Sequence, residues 1–188
     1  MNQQYQIENA LKALQEGGVI LYPTDTVWGL GCDATNDAAV ERLLAIKERQ
    51  NDQGLIVLVE RDSRLNRHVE EVPAVAWDLI DVTQEPLTII YPNGKGFAKG
   101  VYADDGSIAI RIVRDDFCKN LISKLNRPLV STSANFRGQP TPLSFREIDQ
   151  HILDAVDYTV NLRLSETLSH QPSSILKLHL DGEIKIIR

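Results

Sequence analysis

The chain of 188 residues is 43% hydrophobic and 24% charged, a balance typical of a soluble protein with one folded core. Its formal net charge of −6 argues against a general basic face for nucleic acid, although its 20 Lys and Arg residues can still line a local basic cleft. The two cysteines, Cys32 and Cys118, form no CxxC motif, which argues against a disulfide framework or a zinc site.

The sequence shows no signal for targeting to a membrane. Residues 1–14 are polar and lack the charged region and apolar run of a signal peptide. No stretch approaches the roughly 18 consecutive apolar residues that a membrane span needs. We therefore expect a soluble, cytoplasmic protein with no membrane partner.

The first half of the chain alternates between helical and strand patterns. Apolar residues at helical spacing predict a helix over 4–16 that ends at Gly17-Gly18. A short buried strand follows over 19–22 and stops at Pro23. Asn36 is the expected N-cap of a second helix that reaches Lys47, and residues 55–59 form an apolar run of strand length.

The same alternation continues in the second half. A helix near 73–82 precedes strands at 87–91 and 107–112, which a connection over 92–106 joins. Asp115 or Asp116 caps a helix to about Leu125, a short strand over 128–130 follows, and Ser144–Glu147 has the spacing of a capping box that opens a helix. Strands at 174–180 and 184–187 meet at Asp181-Gly182, a hairpin signal. The pattern predicts an α/β fold, with one domain over 1–188 and helices packed on a twisted mixed β-sheet.

The segment Tyr22–Gly31 leaves a strand end and contains hydroxyls, a carboxylate and glycines. Strand ends of α/β sheets are where ligands bind, which favours a functional role. A tight turn, in which Thr24 and Thr26 satisfy local backbone groups, explains the same residues. The spacing of the residues alone does not decide between these two interpretations.

Lys47 and Arg49 lie at the end of the second predicted helix. Cations there can complement the helix dipole, which is the commoner explanation. The polar segment that follows, Gln50–Gly54, places both cations beside a loop at the mouth of the next strand. That position also suits the binding of phosphates, with Arg as a planar fork and Lys as a point charge.

The cluster Ser131-Thr132-Ser133-Ala134-Asn135 follows the strand over 128–130. Three hydroxyls and an amide are costly to bury unless they are hydrogen-bonded. A ligand is the favoured partner, and a network within a turn is the alternative.

Several familiar catalytic motifs are missing from the sequence. No GxxxxGK[ST] motif occurs, and Gly94–Gly100 lacks the hydroxyl and the strand-to-helix frame of a phosphate loop, so we expect a mobile surface loop there. The four histidines show no HExxH spacing, and GxSxG is absent. A metalloprotease or a serine hydrolase is therefore disfavoured.

Taken together and in this order, the motifs resemble the YrdC-like family, the threonylcarbamoyl-AMP synthases of tRNA modification. The resemblance runs from residue 19 to the C-terminus and includes Gly138, Ser173-Ser174-Ile175 and the terminal Ile187-Arg188. The residues that match the main family motifs are Tyr22–Gly31, Lys47-Glu48-Arg49, Pro86-Leu87-Thr88, Arg111 and Ser133-Ala134-Asn135.

The resemblance implies a YrdC-like open concave site on the sheet and a nucleotidyltransferase reaction. In that reaction L-threonine, bicarbonate and ATP give threonylcarbamoyl-AMP and pyrophosphate, for the threonylcarbamoyladenosine modification of tRNA. Mg²⁺ arrives with ATP, without a metal bound tightly by the protein, and a threonylcarbamoyl-transferase complex consumes the product. The resemblance implies that Lys47 and Arg49 act in catalysis. It also implies two sets of binding residues. ATP is bound by Lys47, Arg49, Ser131, Asn135 and Arg188, and threonine is bound by Thr24, Arg111, Ser133 and Ser173.

The chain departs from the family pattern at several positions, among them Gln50, Gly54 and Val113. An alternative function is that of an RNA-binding paralogue, which keeps the fold and the nucleotide site but lacks synthase activity and recognises tRNA or double-stranded RNA by shape and charge. Such binding would be sensitive to salt and independent of ATP and threonine. A purely structural role is the least favoured, because hydroxyl and cationic groups gather at several strand ends.

Overall fold

The computed structural model describes residues 2–48, 54–166 and 172–188. Two of its helices begin at the polar caps that the sequence indicates, Asn36 for the second helix and Asp115 for the fifth. At each cap a side-chain oxygen accepts a hydrogen bond from a free N–H of the first turn. Asn2 and Asp149, which sequence analysis did not single out, cap the first and the sixth helix in the same way. The α-helices are α1 (Gln3–Gln15), α2 (Asp37–Ile46), α3 (Leu65–His68), α4 (Ala74–Val82), α5 (Asp116–Leu125) and α6 (Gln150–Ala155).

Within the described residues, nine strands form one mixed sheet in the order β7-β1-β2-β6-β3-β5-β4-β8-β9. The pairs β1–β7, β3–β5 and β4–β8 are parallel, and the other neighbours are antiparallel. The mixed α/β architecture predicted from the sequence is confirmed. The strands are β1 (Ile20–Pro23), β2 (Trp28–Gly31), β3 (Ile56–Val59), β4 (Leu87–Tyr91), β5 (Ile108–Ile112), β6 (Leu129–Ser133), β7 (Tyr158–Thr159), β8 (Ser174–Leu178) and β9 (Ile184–Ile186).

The two faces of the sheet belong to two hydrophobic cores, because successive strand residues point to opposite sides. On one face, Tyr22 and Leu58 pack against buried residues of α1 and α5 such as Leu14 and Leu121. On the other face, neighbours such as Leu21 join a larger core that also includes α2. Helices α1 and α5 cover only part of their face, and the remainder of that face is free for a binding site. None of the helices within the described ranges combines the length and apolar character needed to span a membrane.

Three local predictions differ from the structure. Residues Trp28–Gly31 form strand β2, although the sequence suggested only a turn after Pro23. Strand β6 continues through Ser133, so the hydroxyl cluster lies inside the strand and not beyond its end. The capping-box spacing at Ser144 opens only a single 3₁₀ turn, because its glutamate also accepts from the backbone N–H of Leu143 and the chain extends again at Ile148.

The prediction of a surface loop at Gly94–Gly100 is also wrong in its central part. Ala98 is buried and its backbone N–H donates to the carbonyl of Ala34. Phe97 donates its backbone N–H to the Tyr102 hydroxyl and packs against the His68 ring. Backbone groups that are buried must find hydrogen-bond partners inside the protein. Ala98 and Phe97 have such partners, so this part of the loop belongs to the packed structure.

Candidate active site

A cavity of about 770 Å³ opens on the face of the sheet that α1 and α5 leave uncovered. This volume falls in the range of small-molecule sites, about 300–1,000 Å³. Its floor consists of alternate residues from six strands, as expected when one sheet face lines a site. These residues are Ile56, Ile90, Ala109, Arg111, Ser131, Ser133, Ile175, Lys177 and Lys185.

Arg111 of β5 provides a buried positive charge in the cavity floor, since its side chain is only 5% exposed. Its Nη2 lies 3.2 Å from Oδ1 of Asp25, and its Nη1 donates to Oγ1 of Thr26 at 3.2 Å. Its Nε is buried without a hydrogen-bond partner in the described structure. A guanidinium held in this way can bind a carboxylate or phosphate, because its planar fork fits both groups.

The turn between β1 and β2 orders two threonine hydroxyls. Thr24 donates to the carbonyl of Val27 at 2.7 Å and accepts from the backbone N–H groups of Thr26 and Val27. Its hydroxyl lies 3.0 Å from that of Thr26. Thr26 and Val27 line the cavity, whereas Thr24 does not. Thr24 therefore builds the turn, as the second interpretation of the sequence held, and Thr26 is the threonine that faces the site.

Lys47 lies at the C-terminal end of α2 and is 4% exposed. Its Nζ donates to the carbonyl of Ser133 at 2.5 Å and to the carbonyl of Asn135. The Asn135 side chain accepts from the Ser133 hydroxyl and donates to the carbonyl of Gln139 at 2.6 Å. Ser131 and Ser133 line the cavity, while Lys47 and Asn135 are hydrogen-bonded to the strand end that carries them.

Ser173 and Arg188 form the opposite side of the cavity, beside strand β8. The Ser173 hydroxyl lies 2.8 Å from that of Thr88, which is fully buried on β4. Arg188 donates from Nε and Nη2 to the carbonyl of Ser173, at 3.3 and 3.2 Å. Both residues line the cavity, so the C-terminal Arg188 contributes a second guanidinium to it.

The hairpin of β8 and β9 adds two lysines that sequence analysis did not single out. Lys177 and Lys185 are register partners, so both side chains lie on the cavity side of the sheet. Lys177 donates to Asp105 at 2.5 Å, and hydrogen bonds from Lys177 and Ser107 hold the pKa of the Asp105 carboxyl below its usual range. The alternation of Ser173, Ile175 and Lys177 along one strand is the signal that could have located them.

Five of the nine site residues expected from the sequence line one cavity: Arg111, Ser131, Ser133, Ser173 and Arg188. Lys47 and Asn135 are hydrogen-bonded to Ser133 at the end of β6, and the Thr24 hydroxyl lies 3.0 Å from that of Thr26 within the same turn. Arg49 lies outside the described residues. Within the described ranges, no group of three or more His, Cys, Asp or Glu side chains is arranged to hold a metal ion.

Gly54 explains one departure from the family pattern. It has a φ of +73°, and a Cβ at this position would lie 2.9 Å from the backbone nitrogen of Ala103. Proline fixes φ near −65° and would not fit this backbone. Glycine therefore lets residue 54 pack against the segment that carries Ala103 to Ser107, which forms one wall of the cavity.

The fold and the cavity define an α/β protein with an open sheet face whose cationic and hydroxyl groups suit small polar, negatively charged molecules. Residues 12–188 match the family model of Sua5, YciO and YrdC, which is described as "Telomere recombination". The chain belongs to this family.

Named relatives lie at moderate identity over long alignments. The chain is 36% identical over 187 residues to the threonylcarbamoyl-AMP synthase of Pseudoalteromonas translucida. This alignment covers 98% of each of the two chains. It is 37% identical over 158 residues to the threonylcarbamoyl-AMP synthase of Xanthomonas oryzae pv. oryzae, across 82% of this chain and 84% of the relative.

Solved structures share the fold. P. abyssi Sua5 in complex with L-threonine matches with a TM-score of 0.86 and 26% identity over 95% of this chain. This chain spans 52% of that longer protein. E. coli YciO matches with a TM-score of 0.85 and 25% identity, across 100% of this chain and 89% of YciO. These similarities confirm the predicted family and the predicted fold.

Proposed function

We propose that this protein is a threonylcarbamoyl-AMP synthase, an enzyme of the nucleotidyltransferase type that uses L-threonine and ATP as substrates. The observation that carries the proposal is a cavity with the buried Arg111 guanidinium among hydroxyls, in a chain 36% identical over 98% of its length to a relative of that name. The alternative of an RNA-binding paralogue without activity is not favoured, because the named relatives are synthases.

The reaction that we propose joins three small molecules. The ammonium group of L-threonine gives a proton to bicarbonate, which loses water to become carbon dioxide. The free amine then attacks the carbon of carbon dioxide and releases a second proton to water, which gives a carbamate. A carbamate oxygen then attacks the α-phosphorus of ATP, the bond from that phosphorus to the bridging oxygen breaks, and pyrophosphate leaves. Such a transfer depends on the positioning of the reactants and on charge stabilisation more than on a covalent nucleophile.

Threonine occupies the part of the cavity around Arg111. The guanidinium is the counter-ion of the threonine carboxylate, since it is buried and faces the cavity. The hydroxyls of Ser133 and Ser173 are available along the same floor. Thr24 contributes through the turn, where it fixes the Thr26 hydroxyl beside Arg111. L-threonine bound to P. abyssi Sua5 supports a threonine site in this fold.

ATP binds along the same cavity with its phosphates near cationic groups. Ser131 and Arg188 line the cavity and are suited to contact the nucleotide directly. Lys47 and Asn135 act at the end of β6, and the resemblance assigns Arg49 to the phosphates. Mg²⁺ enters as part of the substrate, coordinated by the phosphate oxygens of ATP, and offsets their negative charge.

The product is a mixed anhydride that hydrolyses readily, so a downstream enzyme must consume it. A threonylcarbamoyl-transferase complex that acts on tRNA is the partner that we propose, and we propose the cytoplasm as the location of the reaction. Bicarbonate is the carbon source, because the carbamate needs one carbon that neither threonine nor ATP supplies.

Pyrophosphate release tests the proposal. The purified protein is incubated with ATP and Mg²⁺, with L-threonine and bicarbonate added singly and together. We expect pyrophosphate only when both are present. Release that does not depend on threonine would contradict the proposal, and L-serine in place of threonine measures selectivity for the methyl group, for which we expect a preference of about 10- to 200-fold at most.

A further inference from the structure

The contact between Asp25 and Arg111 joins parts of the sheet that are not neighbours. Asp25 lies in the turn between β1 and β2, and Arg111 lies on β5. Strands β2, β6 and β3 separate β1 from β5 in the sheet order. The carboxylate still reaches the guanidinium at 3.2 Å, and its other oxygen accepts from the backbone N–H of Arg114 at 3.4 Å. The turn therefore bends over the cavity face and is fixed to the end of β5.

This contact occurs where an uncompensated charge is costly. The side chains of Arg111 and Asp25 are 5% and 15% exposed. Removing a guanidinium from water carries a penalty of several kcal/mol unless an opposite charge and hydrogen bonds compensate for it. Asp25 is the only carboxylate that the described structure places within ion-pair distance of Arg111. It therefore allows the cation to remain in the cavity floor before any substrate arrives.

The contact also fixes the orientation of the guanidinium. Arginine has five N–H donors in one plane, and two fixed nitrogens define that plane. Asp25 lies against Nη2 and Thr26 accepts from Nη1, while Nε has no hydrogen-bond partner in the described structure. Donors that are not used by these two residues remain for an incoming carboxylate.

We propose that Asp25 is a positioning residue, which sets the Arg111 guanidinium for the carboxylate of the amino-acid substrate. This inference rests on the proposed function of the same cavity. Asp25 acts through Arg111 and does not itself contact the substrate. Its neighbour Thr26 completes the arrangement from the same turn, so one short segment orients the cation on both sides.

Two effects of Asp25 oppose each other. Its negative charge repels the substrate carboxylate, which weakens binding, whereas the fixed guanidinium avoids reorganisation on binding, which strengthens it. The gain from orientation exceeds the loss from repulsion, because the Arg111 side chain is nearly buried. Without the carboxylate of Asp25, the guanidinium would turn toward water and leave its place in the cavity floor. Preorganised groups gain affinity chiefly by avoiding such costs.

The variant Asp25→Asn tests the proposal, because it keeps the shape of the side chain and removes its charge. A neutral amide loses the Coulomb attraction that the carboxylate has for the guanidinium, which is worth about 1 kcal/mol or more for a partly buried ion pair. We therefore expect the KM for L-threonine to rise about fivefold or more, with the KM for ATP within about twofold of the wild type. Asp25→Glu should restore threonine KM, because it restores the carboxylate. Asp81→Asn, at an exposed position on α4, is the matched control.

L-threoninol, which has a hydroxymethyl group in place of the carboxylate, separates positioning from a structural effect. Its binding is measured as inhibition of the wild type and of Asp25→Asn. We expect the same weak inhibition of both, since the lost contact concerns only a carboxylate. Equal weakening of threonine and threoninol, an unchanged threonine KM, or tighter threonine binding would each overturn the proposal.

A crystal structure of the wild-type protein with L-threonine provides a test that does not depend on a variant. We expect the threonine carboxylate against Arg111, with the contact to Asp25 intact. A complex in which Arg111 has left Asp25 would overturn the positioning role. A wild-type protein that forms no adenylate would instead overturn the proposed function, so the two failures are distinguishable.

Discussion

Nζ of Lys47 donates to the backbone carbonyl of Ser133 at 2.5 Å, which ties the end of α2 to the end of β6. The same ammonium also donates to the carbonyl of Asn135. A lysine that is 4% exposed thus holds the end of the strand whose Ser131 and Ser133 line the cavity. The charge of Lys47 lies beside the site. Its hydrogen bonds fix the main chain at Ser133 and so position the Ser133 hydroxyl.

Replacement of Lys47 by methionine should therefore impair both stability and activity. Two carbonyls would lose a charged donor, and we expect the free energy of unfolding to fall by about 2–3 kcal/mol. Adenylate formation should fall by orders of magnitude, because the cation beside the phosphates is also lost. Urea denaturation and the pyrophosphate assay measure the two effects. Lys124→Met, at an exposed position on α5, is the control for the loss of charge. Near-normal turnover of Lys47→Met would contradict the assignment.

Arg49 provides a comparison, although it lies outside the described residues. The resemblance assigns it to the ATP phosphates. We expect Arg49→Gln to lower pyrophosphate release by orders of magnitude, as for Lys47→Met. Turnover of Arg49→Gln close to that of the wild type would show that the phosphates bind elsewhere.

The variant Arg111→Lys tests the carboxylate site while it keeps the positive charge. Lysine cannot make two parallel hydrogen bonds to a carboxylate, and it is shorter in reach across the cavity. We expect the KM for L-threonine to rise about tenfold or more, with a much smaller change in the KM for ATP. Steady-state kinetics with each substrate varied in turn measures both constants. Equal increases in both would argue against a threonine-specific role.

Gly54 should tolerate no side chain, because its backbone has a positive φ and its Cβ position is occupied by Ala103. We expect Gly54→Ala to lower the free energy of unfolding by about 1–2 kcal/mol and Gly54→Pro by more. Gly182→Ala is the matched control, since its φ is +89° but nothing lies within 4 Å of the added Cβ. It should lose only the conformational part of that cost. Thermal and urea unfolding of the three variants measure these losses, and a fully stable Gly54→Pro would contradict the requirement for a positive φ at residue 54.

The half-buried His68 predicts a pH dependence of stability. Burial lowers the pKa of His68, and the nearby Arg64 and Arg67 lower it further. The unfolded chain therefore binds a proton more readily than the folded one. The resulting stabilisation is complete above about pH 6.5 and is lost as the pH falls through the folded pKa. His68→Phe should flatten the slope of stability between about pH 7 and pH 5. An unchanged slope in denaturation curves would contradict this prediction.

Local signals explain which elements could be predicted from the sequence. Asn36 accepts from the backbone N–H of Ala39, and Asp115 accepts from that of Cys118, as N-caps do. The hairpin at Gly182, with its positive φ, joins β8 to β9 as the Asp-Gly pair indicates. Caps and tight turns involve residues a few positions apart, so the sequence alone contains the information that specifies them.

The site depends on contacts between distant segments, which such signals do not contain. Asp25 meets Arg111 only because the sheet brings the turn after β1 over β5. The position of the turn over β5 also decides which side of the turn faces the cavity. The different roles of Thr24 and Thr26 follow from this position. The Lys47 side chain points to the carbonyl of Ser133, so its direction depends on where β6 ends. Motif order predicted the residues, but not which of them line the cavity.

The most direct test of the central claim is the detection of the adenylate itself. The protein is incubated with ATP, Mg²⁺, L-threonine and isotopically labelled bicarbonate, and the products are separated and identified by mass spectrometry. We predict threonylcarbamoyl-AMP that contains the bicarbonate label, in equal amount to pyrophosphate and much reduced in Arg111→Lys at low threonine concentration. Pyrophosphate with AMP alone, or an adenylate without the label, would contradict the proposed function.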